Sequence, residues 1–370
     1  MPALPIFERL KALGARAANG GGALPAFLRP PLPPLAVEVT PRAVRVLRLA
    51  TGRGGTRIAG HSQVPLEPGV ILPGLMRCGV AAPEALGSAI QRAAAGAGAR
   101  PGRAALILPD LAARVTLSGV PDLPAAPAAA EELVRFRLRR TLPYRPEELA
   151  LWWSRRPGPA LAGEEGEPIL AVVALRQIVE QYEDACTRAG LRVGLVSLAT
   201  LEIANLVRAD IAMLPGPHGA LLNLSEESAT LAIFEQGQPV FYRTKSLLSE
   251  DEAPRPADPA AAAALDASPP PAATNGGEPA WMRDLRRELS VSLAFFRDKL
   301  AGVLPLPLLV RADGSVDGDL TGLLSNLGFS PVQPIEPLRG IPFESASPAT
   351  APALAVRFAA PLGVTAGRRL

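Results

Sequence analysis

From Leu35 to Ala50 the chain reads LAVEVTPRAVRVLRLA, and its second half alternates: Val44, Val46 and Leu49 against Arg45 and Arg48. Such period-two alternation marks a strand with one face in a core and the other outside it. The stretch predicts a strand over residues 35–39, a turn at 40–42 and a returning strand over 43–49. A hairpin of the same design recurs over residues 220–244, which suggests a chain built from two related halves.

Between the hairpins, residues 56–66 predict a third strand and residues 83–97 an Ala-rich helix with Pro83 in its first turn. Short apolar runs at 104–108 and 114–117 predict strands. A helix follows over 131–142, with Val134, Leu138 and Leu142 on its apolar face and Pro143 to stop it. Its acidic residues lie at the start and Arg139 and Arg140 at the end, as the helix dipole favours. Strands at 149–155 and 169–175 precede a helix over 176–189, closed by Gly190. Next come a strand at 191–198 and a helix at 201–210.

Past the second hairpin, Trp281, Leu285, Leu289, Leu293, Phe296 and Leu300 recur every three or four residues, a helical stripe wide enough to pack on a sheet. A strand at 306–310 and helices at 320–327 and 352–360 complete the series. Gly328 stands at the end of the first of these helices. The alternation of strands and helices is that of an α/β protein.

Composition narrows the choices. The chain has 370 residues, enough for two or three cores, and 41 prolines with 34 glycines, which imply linkers and shortened elements. Aromatics are only 4% of residues, so cores must rest on Leu, Val and Ala. The net charge of +3 is too mild to argue for nucleic acid. Cys78 and Cys186 form no CxxC pair, and His61 and His218 no metal-binding spacing. No Ser-His-Asp, Cys-His or GxxxxGK[ST] arrangement is present. Without an apolar leader or an uninterrupted apolar run of about 18 residues, the expectation is a cytoplasmic protein.

Residues 1–34 read as a basic segment with a Pro-rich linker. Ile6, Phe7, Leu10 and Leu13 could share one helix face that touches an anionic membrane surface; a frayed or docked terminus is the simpler reading. Residues 249–280, rich in Ala and Pro, read as a mobile loop. Arg135, Arg137, Arg139, Arg140 and Arg145 form the densest basic patch, either a solvated helix face or a docking surface. Adjacent Trp152 and Trp153 must point to opposite sides of a strand. Glu164, Glu165 and Glu167 lie in a Gly-rich loop and read as solvated.

Five stretches, taken in order, carry a resemblance. They are the hairpin at Leu35; ALILPDLAARVTLSGVPDLP with EELVRFRLRRTLPYRPEELALWW, over 105–153; AVVALRQIVEQYEDACTRAGLRVGLVSLATLEIANL, over 171–206; the second hairpin; and the strand and turn at 308–315. Together they resemble the PilM family of type IV pilus assembly proteins, within the actin-like ATPase superfamily.

The resemblance implies an actin-like (ribonuclease H-like) two-lobed α/β fold with a small inserted α+β subdomain. Residues 35–102 and 346–370 would form the first lobe, 103–190 the insert, and 191–248 with 281–345 the second lobe. In that superfamily two hairpins grip a nucleotide with backbone N–H groups and an acidic metal ligand.

Here Glu38 stands where the family has Asp, Thr40 where it has Gly, and Pro41 removes an N–H. Asn223 replaces the acidic residue, Ser225 replaces Gly, and Glu226 and Glu227 fill the second turn. Gly314 remains from the adenosine turn. A carboxylate about 4 Å from a phosphate charge costs about 4 kcal/mol at intermediate dielectric, more than Arg42 offsets.

The implied reading is a scaffold with a degenerate nucleotide site, no catalytic residues and no cofactor; Mg–ATP is the ligand an intact site would take. Its partner would be the N-terminal peptide of a PilN-like inner-membrane protein, met by Arg135, Arg139 and Tyr144. It would link that protein to the pilus motor complex. The alternatives are an active ATP-binding member of the machine and a type II secretion platform scaffold. The usual secretion-platform subunit carries a membrane-spanning helix, which argues against the latter.

Overall fold

The structure, a computed structural model, describes residues 33–52, 55–72, 74–139, 142–156, 163–225, 227–247, 279–313, 319–337 and 351–366. The readings on residues 1–32, Arg140, Glu226, residues 249–278 and Gly314 lie outside them.

Strands β1 (Leu35–Val39), β2 (Ala43–Gly52) and β3 (Gly55–Pro65) form an antiparallel meander. After helix α1 (Pro83–Gly96), β4 (Gly102–Leu108) pairs in parallel with β1. The chain then leaves the sheet through β5 (Ala113–Val120), α2 (Pro127–Arg139), β6 (Leu149–Arg155) and β7 (Glu167–Leu175). Helix α3 (Arg176–Arg188) brings it back, and β8 (Leu191–Leu198) pairs in parallel with β4.

Helices α4 (Ala199–Leu206) and α5 (Arg208–Met213) lead to a second meander, β9 (His218–Leu224), β10 (Ser228–Glu235) and β11 (Gln238–Ser246). There follow α6 (Ala280–Lys299), β12 (Leu306–Ala312), α7 (Leu320–Leu327), β13 (Phe329–Pro334), α8 (Ala351–Arg357) and α9 (Ala359–Ala366).

The first sheet runs β3-β2-β1-β4-β8 and the second β11-β10-β9-β12-β13, the same order of three antiparallel and two parallel strands. The third sheet, β5-β7-β6, is antiparallel and belongs to the excursion. Pairing of β4 and β8 with the first sheet moves the boundaries read from sequence. Residues 102–108 and 191–198 belong to the first lobe, and the second sheet begins at His218. A short apolar strand such as β4, buried on both faces over residues 104–108, carries no local mark of which sheet it will join.

Two helices also differ from expectation. Helix α2 starts at Pro127 and its described part ends at Arg139, short of Leu142. The stretch at 352–360 is split between α8 and α9.

Helices occupy three layers around the two sheets. Helices α1 and α3 cover the outer face of the first sheet, where Leu86, Ile90, Ile178 and Tyr182 join Val37, Val44 and Leu106 in one core. Helices α6 and α7 cover the second, with Leu285, Leu289, Leu293, Phe296 and Leu324 against Leu222, Leu231 and Leu308. The middle layer is α4 and α9. It joins Ala36 and Ile107 of the first sheet to Leu221 and Leu309 of the second through Ile203, Ala360 and Val364. A Cβ on Gly363 would lie 1.9 Å from the Glu202 carbonyl oxygen, so the two helices touch backbone to backbone there.

Cys78 and Cys186 are free and buried, and burial pushes both thiols up to about 12. Among the described residues no helix is long and apolar enough to cross a membrane.

Candidate functional site: the interlobe cleft and the insert

The β1–β2 turn and the β9–β10 turn face each other across a cavity of about 210 Å³. Both bends are closed on themselves. The Thr40 N–H donates to the Ala43 carbonyl at 2.9 Å, and the Ala43 N–H returns to Thr40 Oγ1 at 3.0 Å. In the second bend, Ser225 N–H donates to the Ser228 carbonyl at 2.9 Å and Ser228 N–H to Ser225 Oγ at 3.1 Å. The N–H groups of Thr40, Ala43, Ser225 and Ser228 are thus engaged within the bends.

Beneath the turns lies a cluster of charges from both lobes. Arg45 on β2 reaches Asp313 with Nη1 at 2.7 Å and Nη2 at 2.9 Å, and Glu38 Oε2 with Nη1 at 3.3 Å. Arg311 on β12 lies 3.3 Å from Asp313 and 3.9 Å from Glu38 Oε1. It also donates to Asn223 Oδ1 at 3.1 Å and to the carbonyls of Val356 and Arg357. These side chains are sealed from solvent: Glu38 is 1% exposed and Arg311 2%. At the mouth, Arg42 pairs with Glu227 at 3.0 Å.

Each arginine therefore binds a carboxylate of the opposite lobe. Burial raises the pKa of Glu38 despite Arg45 and Arg311, and its Oε1 accepts no hydrogen bond. Burial also acts to raise Asp313, but Arg311 and Arg45 outweigh it and hold that carboxyl below the usual range.

Asp110, at the end of β4, is the second hub. It accepts from the Thr200 N–H at 3.0 Å and from the Thr200 hydroxyl, both on α4. Three more donors come from the second lobe: Asn223 Nδ2 at 3.1 Å, Thr230 Oγ1 at 3.1 Å and Tyr242 OH at 3.3 Å. Burial, then the Asp110 charge, lift the Tyr242 phenol well above its ordinary value.

The turn positions read from sequence, Glu38, Thr40, Arg42, Asn223 and Ser225, all line this cavity. Arg45, Arg311, Asp313 and Asp110 were not read as site residues. The sequence did hold one signal: an arginine in the otherwise apolar strand LPLLVRA must be buried with a partner. Alternation on β2 puts Arg45 on the face away from the core, yet Arg45 is 5% exposed, because that face is covered by the cleft.

On the insert, Arg139 and Tyr144 border one open groove together with Leu142, Pro143, Arg145 and Glu148. Arg135 is not part of it, being paired with Glu131 one turn earlier at 2.9 Å. Trp153 packs inward, whereas Trp152 is 53% exposed, and Phe136 on α2 also faces solvent.

Two sheets of identical order, a helical layer between them and facing hairpins over a central cleft define the actin-like, two-lobed class of fold. Within it the chain has a PilM-like architecture. It superimposes on a PilM–PilN type IV pilus biogenesis complex with a TM-score of 0.71 and 21% identity, covering 91% of this chain and 98% of that one.

Weaker matches include the cytoplasmic domain of EpsL, an inner-membrane component of the type II secretion system of Vibrio cholerae (TM-score 0.42, 12% identity, 79% of this chain and 93% of that one). Another is an actin-like ATPase-fold protein of unknown function from Bacteroides thetaiotaomicron (TM-score 0.45, 7% identity, 81% and 90%). No protein-family profile and no curated protein sequence matches the chain.

Proposed function

We propose that this chain is a PilM-like scaffold of a type IV pilus assembly machine that works without turning over ATP. The observation that carries the reading is the end-to-end likeness to PilM in its complex with PilN. The partner is then the N-terminal peptide of a PilN-like inner-membrane protein, held by the insert, and the scaffold ties that protein to the motor complex at the inner face of the membrane. Arg139, Tyr144 and the exposed Trp152 supply the cation and aromatic anchors that a short peptide needs.

The cleft supports the non-catalytic half of the reading. Magnesium–triphosphate does not fit these residues. Asp313 and Glu38 are neutralised by guanidinium groups, Arg311 lies against Asn223, and both turns spend amides on their own carbonyls.

Calorimetric titration of the full chain with the N-terminal peptide of a PilN-like protein from the same genome tests the partner. Saturable binding weakened by Arg139→Glu and Tyr144→Ala is expected, and no heat with that peptide would discard it. Titration with Mg–ATP tests the cleft: micromolar binding would restore the enzyme alternative.

A further inference from the structure

Helix α6 buries Met282, Leu285, Leu289, Leu293 and Phe296 against the second sheet, so an ordinary surface helix would be polar elsewhere. Two residues depart from that pattern: Val291 and Phe295 follow Arg287 at four-residue intervals along the outer side, the three being 49%, 46% and 69% exposed. Beside them runs β11, the edge strand of that sheet. The Phe241 ring of β11 lies 5.8 Å from Phe295, so the exposed aromatic rests on a fixed partner.

About two turns from Phe295 towards the helix start, three cations share a single carboxylate. Arg243 lies 3.1 Å, Lys245 3.7 Å and Arg287 3.8 Å from Glu288. Even with Asp284 near Arg287, the cations outnumber the acids. Arg283 and Arg286 add two exposed guanidinium groups to the same half of the helix.

The surface thus has a cationic end and a small apolar patch, Val291 with Phe295, arranged along one helix. We infer that α6 and β11 together form a docking surface for an acidic, amphipathic helical segment of a partner protein, lying along α6. Its apolar residues would cover Val291 and Phe295, and its carboxylates would meet Arg287 and Lys245. Charge complementarity decides the chemistry of the occupant. A protein segment fits better than a lipid surface, because the phenyl ring leans on Phe241 and the cations are held sideways by Glu288. A bilayer rewards apolar groups that protrude. This surface is separate from both the cleft and the insert groove, so it stands whether or not the peptide reading above survives.

The test uses the full chain and a fluorescent helical peptide with leucines on one side and glutamates at one end, beside a scrambled peptide of equal composition. Vesicles of phosphatidylcholine with phosphatidylglycerol form a third arm. Expected are saturable binding of the patterned peptide, at least about tenfold weakening by Lys245→Glu with Arg287→Glu, and weakening by Phe295→Ser. Retention by Arg287→Lys and loss in high salt complete the pattern. Lys245, Arg287 and Phe295 are exposed enough that these variants should melt like the parent, and circular dichroism checks it. Equal binding of the scrambled peptide, indifference to the substitutions, or vesicle binding abolished by the same charge reversals would each overturn the inference.

Discussion

Arginine does opposite work in two parts of this molecule. In the cleft, Arg45 and Arg311 are sealed between the lobes, each bound to acids across the gap. On the insert, Arg139 borders an open groove and faces water. The same side chain is structural in one place and available in the other. What separates them is burial: a desolvated guanidinium must be matched by fixed acceptors, whereas a solvated one is free to exchange water for a ligand. Charge alone therefore says little about function until its surroundings are known.

Substitutions can break this contrast, beginning with the deepest charge. Replacing Arg311 by Met leaves Glu38 and Asp313 short of a counter-charge and strips two helix carbonyls of their donor. A loss of about 3–5 kcal/mol is expected in urea denaturation. Asp110→Ala removes the acceptor shared by five donors and should cost about 2–3 kcal/mol by the same measurement. If either variant were as stable as the parent, the polar contacts of the cleft would add nothing to the apolar layer that joins the lobes.

Acid sharpens the comparison. Asp313 is held below the ordinary carboxylate value, so the stability it adds is present above its unfolded pKa, about 4, and fades as pH falls through the lower folded value. Stability measured against pH should drop on that acid limb, and Asp313→Asn should flatten it. Glu38, raised by burial, acts in the opposite sense: its stabilisation is complete below its unfolded pKa and is lost as pH climbs through its folded one.

At the mouth of the cleft, where Arg42 is half-exposed, Arg42→Ala should cost no more than about 1 kcal/mol. Arg139→Ala should change stability by less than about 0.5 kcal/mol while still weakening capture of the peptide. A stability loss there as large as that of Arg311→Met would erase the distinction between the two regions.

Much of the scaffold was readable in the chain itself. Helix α7 ends where its apolar spacing stops, with Gly328 at φ 107°, the left-handed cap that glycine permits. Both hairpins, the long stripe of α6 and the tilt of the two tryptophans followed from periodicity. The bends themselves were readable as turns, but only the resemblance to the PilM family pointed to Glu38, Thr40, Arg42, Asn223 and Ser225 as cleft positions.

Their partners were not. Arg45 meets Asp313 across 268 residues and Thr230 meets Asp110 across 120, distances at which no local pattern operates. The sheet membership of β4 and β8 escaped for the same reason, since both strands are apolar enough to suit any core.

Helix α9 is almost the last piece of chain described, yet it supplies the cover for some of the earliest strands. Leu362, together with Phe358 just before the helix, sits with Leu47, Leu49 and Ile58, while Gly363 lets the helix press against α4. On the ribosome, the first lobe must therefore wait with that flank bare until residues 358–366 have been made. A chain stalled before residue 350 would carry a half-built lobe whose open side invites chaperones or self-association.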